Sequence, residues 1–232
     1  MASRANAIQE RFFNTLISGD RLGARRILDE IFDADASGES VAAHLVWPVL
    51  DQIQTMRRAD QIDTLAYNYA TRLLRSVVDP LQLRYEQRAD RDLTAVVVCG
   101  AEESEELTGQ LAADLLEADG YRVLFIGGGV ANDEIVAQLA AVKADRLVVF
   151  GATPQVVPAT RLMIDHLHDI GACENLQVIV GGGVCNRAEG LAEEIGADLW
   201  ASDPISLVEE MAAKPERRMD PAQRTVGRRK AA

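Results

Sequence analysis

The sequence predicts a helical bundle followed by a flavodoxin-like α/β domain with a doubly wound, five-stranded parallel sheet. Two observations predict it. Apolar residues recur with helical period from residue 5 to residue 78, and from Thr94 onward short β-branched runs alternate five times with helical stretches.

In the first part, Phe13, Leu16 and Ile17 share one helix face, and Ala24, Ile27, Leu28 and Ile31 share the next. A third helix carries Leu45, Val49, Ile53 and Met56, and a fourth carries Ile62, Leu65, Tyr69, Leu73 and Val77. Ser18-Gly19-Asp20 and Ser37-Gly38-Glu39-Ser40 punctuate them, so the segment reads as a four-helix bundle over 5–78. Asp79-Pro80 ends it, because proline disfavours helix at the residue before it. A linker over 79–93 follows. Its stretch Arg84 to Asp92 carries both charge signs and few apolar anchors, which predicts movement of the two parts about it.

The strands are expected at Thr94–Cys99, Tyr121–Ile126, Asp145–Phe150, Leu176–Val180 and Asp198–Ala201. Helices are expected near 105–119, 132–142, 159–170, 187–195 and 205–213. Runs such as Val96-Val97-Val98 are apolar on both faces, as parallel strands covered by helices require. The α/β domain therefore spans 94–213. Beyond it, 214–232 reads as a flexible tail, locally basic through Arg217, Arg218, Arg224, Arg228, Arg229 and Lys230.

Composition narrows the function. A formal net charge of −12 opposes a general nucleic-acid surface, since phosphates would be repelled. No apolar stretch is long enough to cross a membrane, and three scattered cysteines build no disulfide framework, so a reducing cytoplasm fits. No Cys/His pair, Ser/His/Asp set or P-loop appears, and His44, His166 and His168 form no metal set, so the chain reads as non-enzymatic, without catalytic or metal-ligating residues.

Ligands of open α/β sheets bind beyond the carboxyl ends of the strands. Two glycine triplets fall there, Gly127-Gly128-Gly129 and Gly181-Gly182-Gly183, where bare backbone suits a large planar ligand. A bulky residue at Gly182 is expected to block uptake while leaving the fold intact. In the first loop, Ser104 reads as a helix N-cap with Glu105 and Glu106 in the first turn.

These pieces, in this order, resemble the cobalamin (vitamin B12)-binding module, a helical cap followed by a Rossmann-like domain. It occurs in corrinoid methyltransferase systems and in light-sensing regulators. Leu16-Ile17-Ser18-Gly19-Asp20 with Ala24-Arg25-Arg26-Ile27-Leu28, and Val46-Trp47-Pro48-Val49-Leu50, are similar to its cap. Gly109 to Gly120, Ile126-Gly127 with Asp133-Glu134-Ile135-Val136, Val178 to Gly183, and Gly196-Ala197-Asp198 are similar to its α/β half. The family's lower-ligand signature is Asp-x-His-x-x-Gly. Here the frame is Ser104-Glu105-Glu106-Leu107-Thr108-Gly109, with glutamate in place of the cobalt-binding histidine. The usual serine after the third strand is Gly151, with Thr153 close by. On the cap, Arg57, Tyr67 and Asn68 stand where light-sensing members carry a tryptophan and a Glu-His pair.

The resemblance implies a corrinoid, not in the base-off, histidine-ligated form, or another planar ligand between cap and sheet edge. The cofactor-binding set it implies is Ser104, Glu106, Gly109, Gly127, Gly128, Gly151, Thr153, Gly181, Gly182, Gly183, Arg57, Tyr67 and Asn68. Three roles stay open: a sensory or regulatory protein with a protein partner, an interaction module that has lost its ligand, and a corrinoid carrier for a methyltransferase.

Overall fold

The computed structural model describes residues 2–151, 153–171, 173 and 175–219, and the chain divides into two compact units after Gln87.

The first unit contains α1 (Ala2–Ile17), α2 (Arg21–Phe32), α3 (Gly38–Val41), α4 (Trp47–Arg58) and α5 (Thr64–Leu81). Side-chain caps set three of the starts. Asp20 accepts from the Gly23 amide at 2.9 Å, Ser37 from Ser40 at 3.2 Å and Asp63 from Ala66 at 2.7 Å. A π turn over Ala42–Val46 joins α3 to α4, so the predicted third helix is present but locally widened, with more residues in that turn than an α-helix holds. Phe12, Leu16, Leu50, Ile53 and Leu74 are fully buried and form the unit's core.

Helix α5 runs through Asp79 and Pro80 to Leu81 and passes into a 3-10 turn at Gln82–Arg84, later than the proline suggested. Proline there removes one amide donor and crowds the carbonyl one turn back, a cost offset by the burial of Val77, Val78 and Leu81 around it.

The stretch 84–92 is not the unanchored linker that its polarity suggested. Tyr85 is buried in the first unit, and the Glu86 amide donates to Glu39 Oε1 at 2.6 Å. Arg88 and Arg91 belong to the second unit. Both grip the buried carboxylate of Asp119, at 2.6 and 2.7 Å, and Arg91 also lies over the Tyr121 ring. Charge and hydrogen bonds do the anchoring that apolar side chains do elsewhere.

The second unit is a parallel sheet of β1 (Thr94–Cys99), β2 (Arg122–Gly127), β3 (Arg146–Phe150), β4 (Gln177–Gly181) and β5 (Leu199–Ala201) in the order β2-β1-β3-β4-β5. This is the flavodoxin-like order, with its switch point between β1 and β3. Helices α6 (Glu103–Ala118) and α11 (Pro204–Ala213) cover one face, packing Leu116, Leu207 and Met211 on Val97 and Val148. Helices α7 (Asn132–Val142), α8 (Val156–Asp169) and α10 (Leu191–Ile195) cover the other, packing Leu139, Ile164 and Ile195 on Val96, Val149 and Val180. The helix expected at 187–195 is instead two short ones, α9 (Gly183–Arg187) and α10, because Gly190 turns left-handed at φ 75° between them.

The first residues of the expected flexible tail are docked. Gln177 Nε2 donates to the carbonyls of Lys214 and Arg217, both at 3.0 Å, and the Asp198 carboxylate accepts from the amides of Val178 and Met219 at 2.7 and 2.8 Å. Residues 214–219 thus lie as a strap across the amino ends of β4 and β5. The rest of the predicted tail, 220–232, lies outside the described residues. Among the described residues no helix is long and apolar enough to cross a membrane.

Candidate functional site

The switch point lies at the carboxyl ends of β1 and β3, and most of the predicted glycines are found around it. Their backbones touch. A Cβ on Gly128 would stand 2.4 Å from the Gly100 carbonyl oxygen, and one on Gly182 would stand 2.6 Å from that of Gly151. Gly182 also has φ 96° and ψ 179°, a conformation open essentially to glycine alone. Gly181, the last residue of β4, is closed in by Phe150 and the Ala201 carbonyl. Gly183 opens α9. These loops therefore pack backbone on backbone. Gly109 has a different job: it lies in α6 where the helix crosses Cys99 and Phe125, and any side chain there would push helix from sheet.

The first loop corrects the capping assignment. Helix α6 starts at Glu103 with Glu102 as N-cap, so Ser104 is inside the first turn and buried. Glu105 is buried as well, only 3 % exposed, rather than a solvated first-turn carboxylate. Its Oε1 accepts from the Thr153 amide at 3.1 Å and from the Thr153 hydroxyl at 3.3 Å, tying the loop after β1 to the loop after β3. The carboxylate lies over Gly100, where any side chain would occupy its place. Glu106 turns the other way, its Oε1 accepting from the Gly128 amide at 3.4 Å. Sequence reasoning missed Glu105 and Gly100 as a pair. The available signal was a glycine at the strand end five residues before a glutamate.

Below these loops, on the α7–α8 face, opens a cleft of about 510 Å³. Gly127 and Thr153 line it, whereas Gly181, Gly182 and Gly183 do not. No histidine of the described α/β unit lies at this edge: His166 and His168 both sit in the last turn of α8, at the opposite end of the sheet. No cluster of three metal-ligating side chains is present among the described residues.

Arg57 and Tyr67 come together within the helical unit, the guanidinium 5.2 Å from the ring centroid. Tyr67 is buried beneath it, Asn68 is exposed, and Trp47 is half-buried.

Cys185 is a buried member of the sheet core. Desolvation, with Glu193 adding and Arg187 opposing, pushes its thiol up to about 11. Its thiolate is thus scarce at ordinary pH. Iodoacetamide at pH 8 is expected to leave Cys185 unmodified in the folded chain and to alkylate it in urea, as peptide mass spectrometry will show. Rapid labelling of the folded form would contradict this burial.

No family model matches the chain. Two relatives do. Dimethylamine corrinoid protein 1 of Methanosarcina acetivorans is 28 % identical over 123 residues, 51 % of this chain and 57 % of that protein. Dimethylamine corrinoid protein 3 of Methanosarcina mazei is 25 % identical over 123 residues, 51 % of this chain and 72 % of that one. The chain thus spans little more than half the length of the first of them. Among solved structures, the monomethylamine corrinoid protein of Methanosarcina barkeri superposes with a TM-score of 0.76 at 16 % identity, covering 88 % of this chain and 96 % of that one, and so shares its fold. These relatives are named as corrinoid proteins, in line with the expectation of a non-enzymatic chain. Sheet order and sequence similarity over half of the chain thus support the resemblance to the cobalamin-binding module family.

Proposed function

We propose that the chain is a corrinoid carrier that serves a methyltransferase-type protein partner and holds its corrinoid at the carboxyl edge of the α/β unit without a protein imidazole. The similarity to corrinoid proteins carries this reading, and it moves the balance from a sensory role to carriage. The glycine loops at Gly127–Gly129 and Gly181–Gly183 lie at the carboxyl edge of the sheet, where open α/β folds take ligands. When bound, the corrinoid would supply a cobalt centre able to accept and release a methyl group.

The donor set does not fit imidazole ligation. Glu106 stands in the histidine frame, and its carboxylate accepts from the Gly128 amide instead. A carboxylate is a harder donor than imidazole and a poorer match for cobalt, so Glu106 would be a poor substitute for the histidine that the resemblance implies. Gly151 stands where the family carries a serine after the third strand, and its carbonyl packs against Gly182. Ser104 is buried in the first turn of α6, and Gly109 lets that helix approach the sheet closely.

Incubation with hydroxocobalamin, gel filtration and the absorption spectrum of the protein fraction test the carrier reading. A stoichiometric corrinoid band is expected, and colourless protein would overturn it in favour of an interaction module. Electron paramagnetic resonance of the Co(II) form, made from protein with ¹⁵N-histidine, tests the ligation. No change of hyperfine pattern on labelling is expected, and a ¹⁵N-dependent pattern would show protein imidazole after all.

A further inference from the structure

The cleft on the α7–α8 face has a chemistry of its own. It lies at the switch point between β1 and β3, where open α/β sheets take ligands, and at about 510 Å³ it has the size of a small-molecule pocket. Its inner walls are apolar: Val98, Ile135, Val149 and Met163 from the sheet and both helices. Its polar side holds Glu105, buried to 3 % exposure, with Glu102 exposed at the mouth. No lysine or arginine lines it among the described residues.

A buried carboxylate beside apolar walls selects by charge as well as by shape. An anionic ligand would be repelled at short range in a medium of low dielectric, and a neutral one would gain apolar contact and hydrogen bonds but no charge pairing. A cation with an apolar body satisfies both surfaces. We propose that this cleft is a binding site for a compact organic cation, an alkylammonium or arylalkylammonium, whose charge sits at Glu105 and whose body lies on Val98, Ile135, Val149 and Met163.

The proposal is independent of corrinoid binding, and its test uses the full chain without corrinoid. The probes are 2-phenylethylamine, its neutral analogue 2-phenylethanol and the anionic 3-phenylpropionate. They are titrated into protein labelled with ¹³C at the methionine methyls, with Met163 as reporter. The amine is expected to shift the Met163 methyl and to bind at least tenfold more tightly than the alcohol, with the acid not binding. Equal affinity for amine and alcohol, or no shift with any probe, would overturn the proposal.

Two variants locate the site. Glu105→Gln can still accept from Thr153 through its amide oxygen, so the loop tie survives while the charge goes. It should lose the tenfold preference for the amine. Ala159→Phe narrows the mouth from an exposed position on α8 and should weaken all binding. Wild-type selectivity in folded Glu105→Gln would show that the charge is read elsewhere and would sink the assignment.

Discussion

Gly182→Ala lowers the stability of the α/β unit by about 3 kcal/mol in urea denaturation, a loss that comes from backbone and not from any side chain. A non-glycine residue held at φ 96° and ψ 179° costs about 1–3 kcal/mol by itself. The added Cβ would also stand 2.6 Å from the Gly151 carbonyl oxygen, which is part of the loop after β3 and has no rotamer with which to move away. The expectation that a bulky residue here would block a ligand and spare the fold is therefore corrected. The fold itself depends on these atoms. Gly127→Ala is the informative comparison: at φ 81° it is strained, but its Cβ meets only the Glu106 carboxylate, at 3.5 Å, so about half the loss is expected. Equal stability of Gly182→Ala and the wild type would disprove the backbone argument.

The Asp119 clamp should show the second large effect. In the double variant Arg88→Met/Arg91→Met, the Asp119 carboxylate, 3 % exposed, loses both cations at once. Removing the partners of a buried charge leaves it uncompensated, which costs about 3–5 kcal/mol. Arg88→Met alone should cost far less, since that guanidinium is largely exposed and Arg91 remains. Adding Asp119→Asn to the double variant should recover much of the loss, because a neutral amide needs no counter-charge. Additive single effects in denaturation experiments would argue against a shared carboxylate as the cause.

Much of the fold is legible in the sequence because the relevant signals are periodic. β-branched runs such as Val96-Val97-Val98 locate β1 to within its ends, and the glycine triplets mark the carboxyl edge. What escapes is held by single polar atoms. The strap at 214–219 has few apolar residues and docks through main-chain carbonyls and the Asp198 carboxylate, which no hydropathy pattern reports. Glu105 escapes for a related reason. Three glutamates in a first helical turn satisfy the helix dipole so well that nothing in the sequence marks one of them as buried. Loops that pack backbone on backbone, as Gly151 and Gly182 do, are equally silent, because their partners lie more than thirty positions apart.

The π turn over Ala42–Val46 bears on how the chain can change length. One turn of π helix holds a residue more than the α geometry on either side of it. Removing a single residue there, such as the exposed His44, would let α3 run into α4 as an uninterrupted α-helix. An equal deletion inside β1 would carry the following side chains of that strand to the opposite face of the sheet. Insertions and deletions among natural or engineered variants should therefore gather at this turn of the helical unit and be purged from the strands.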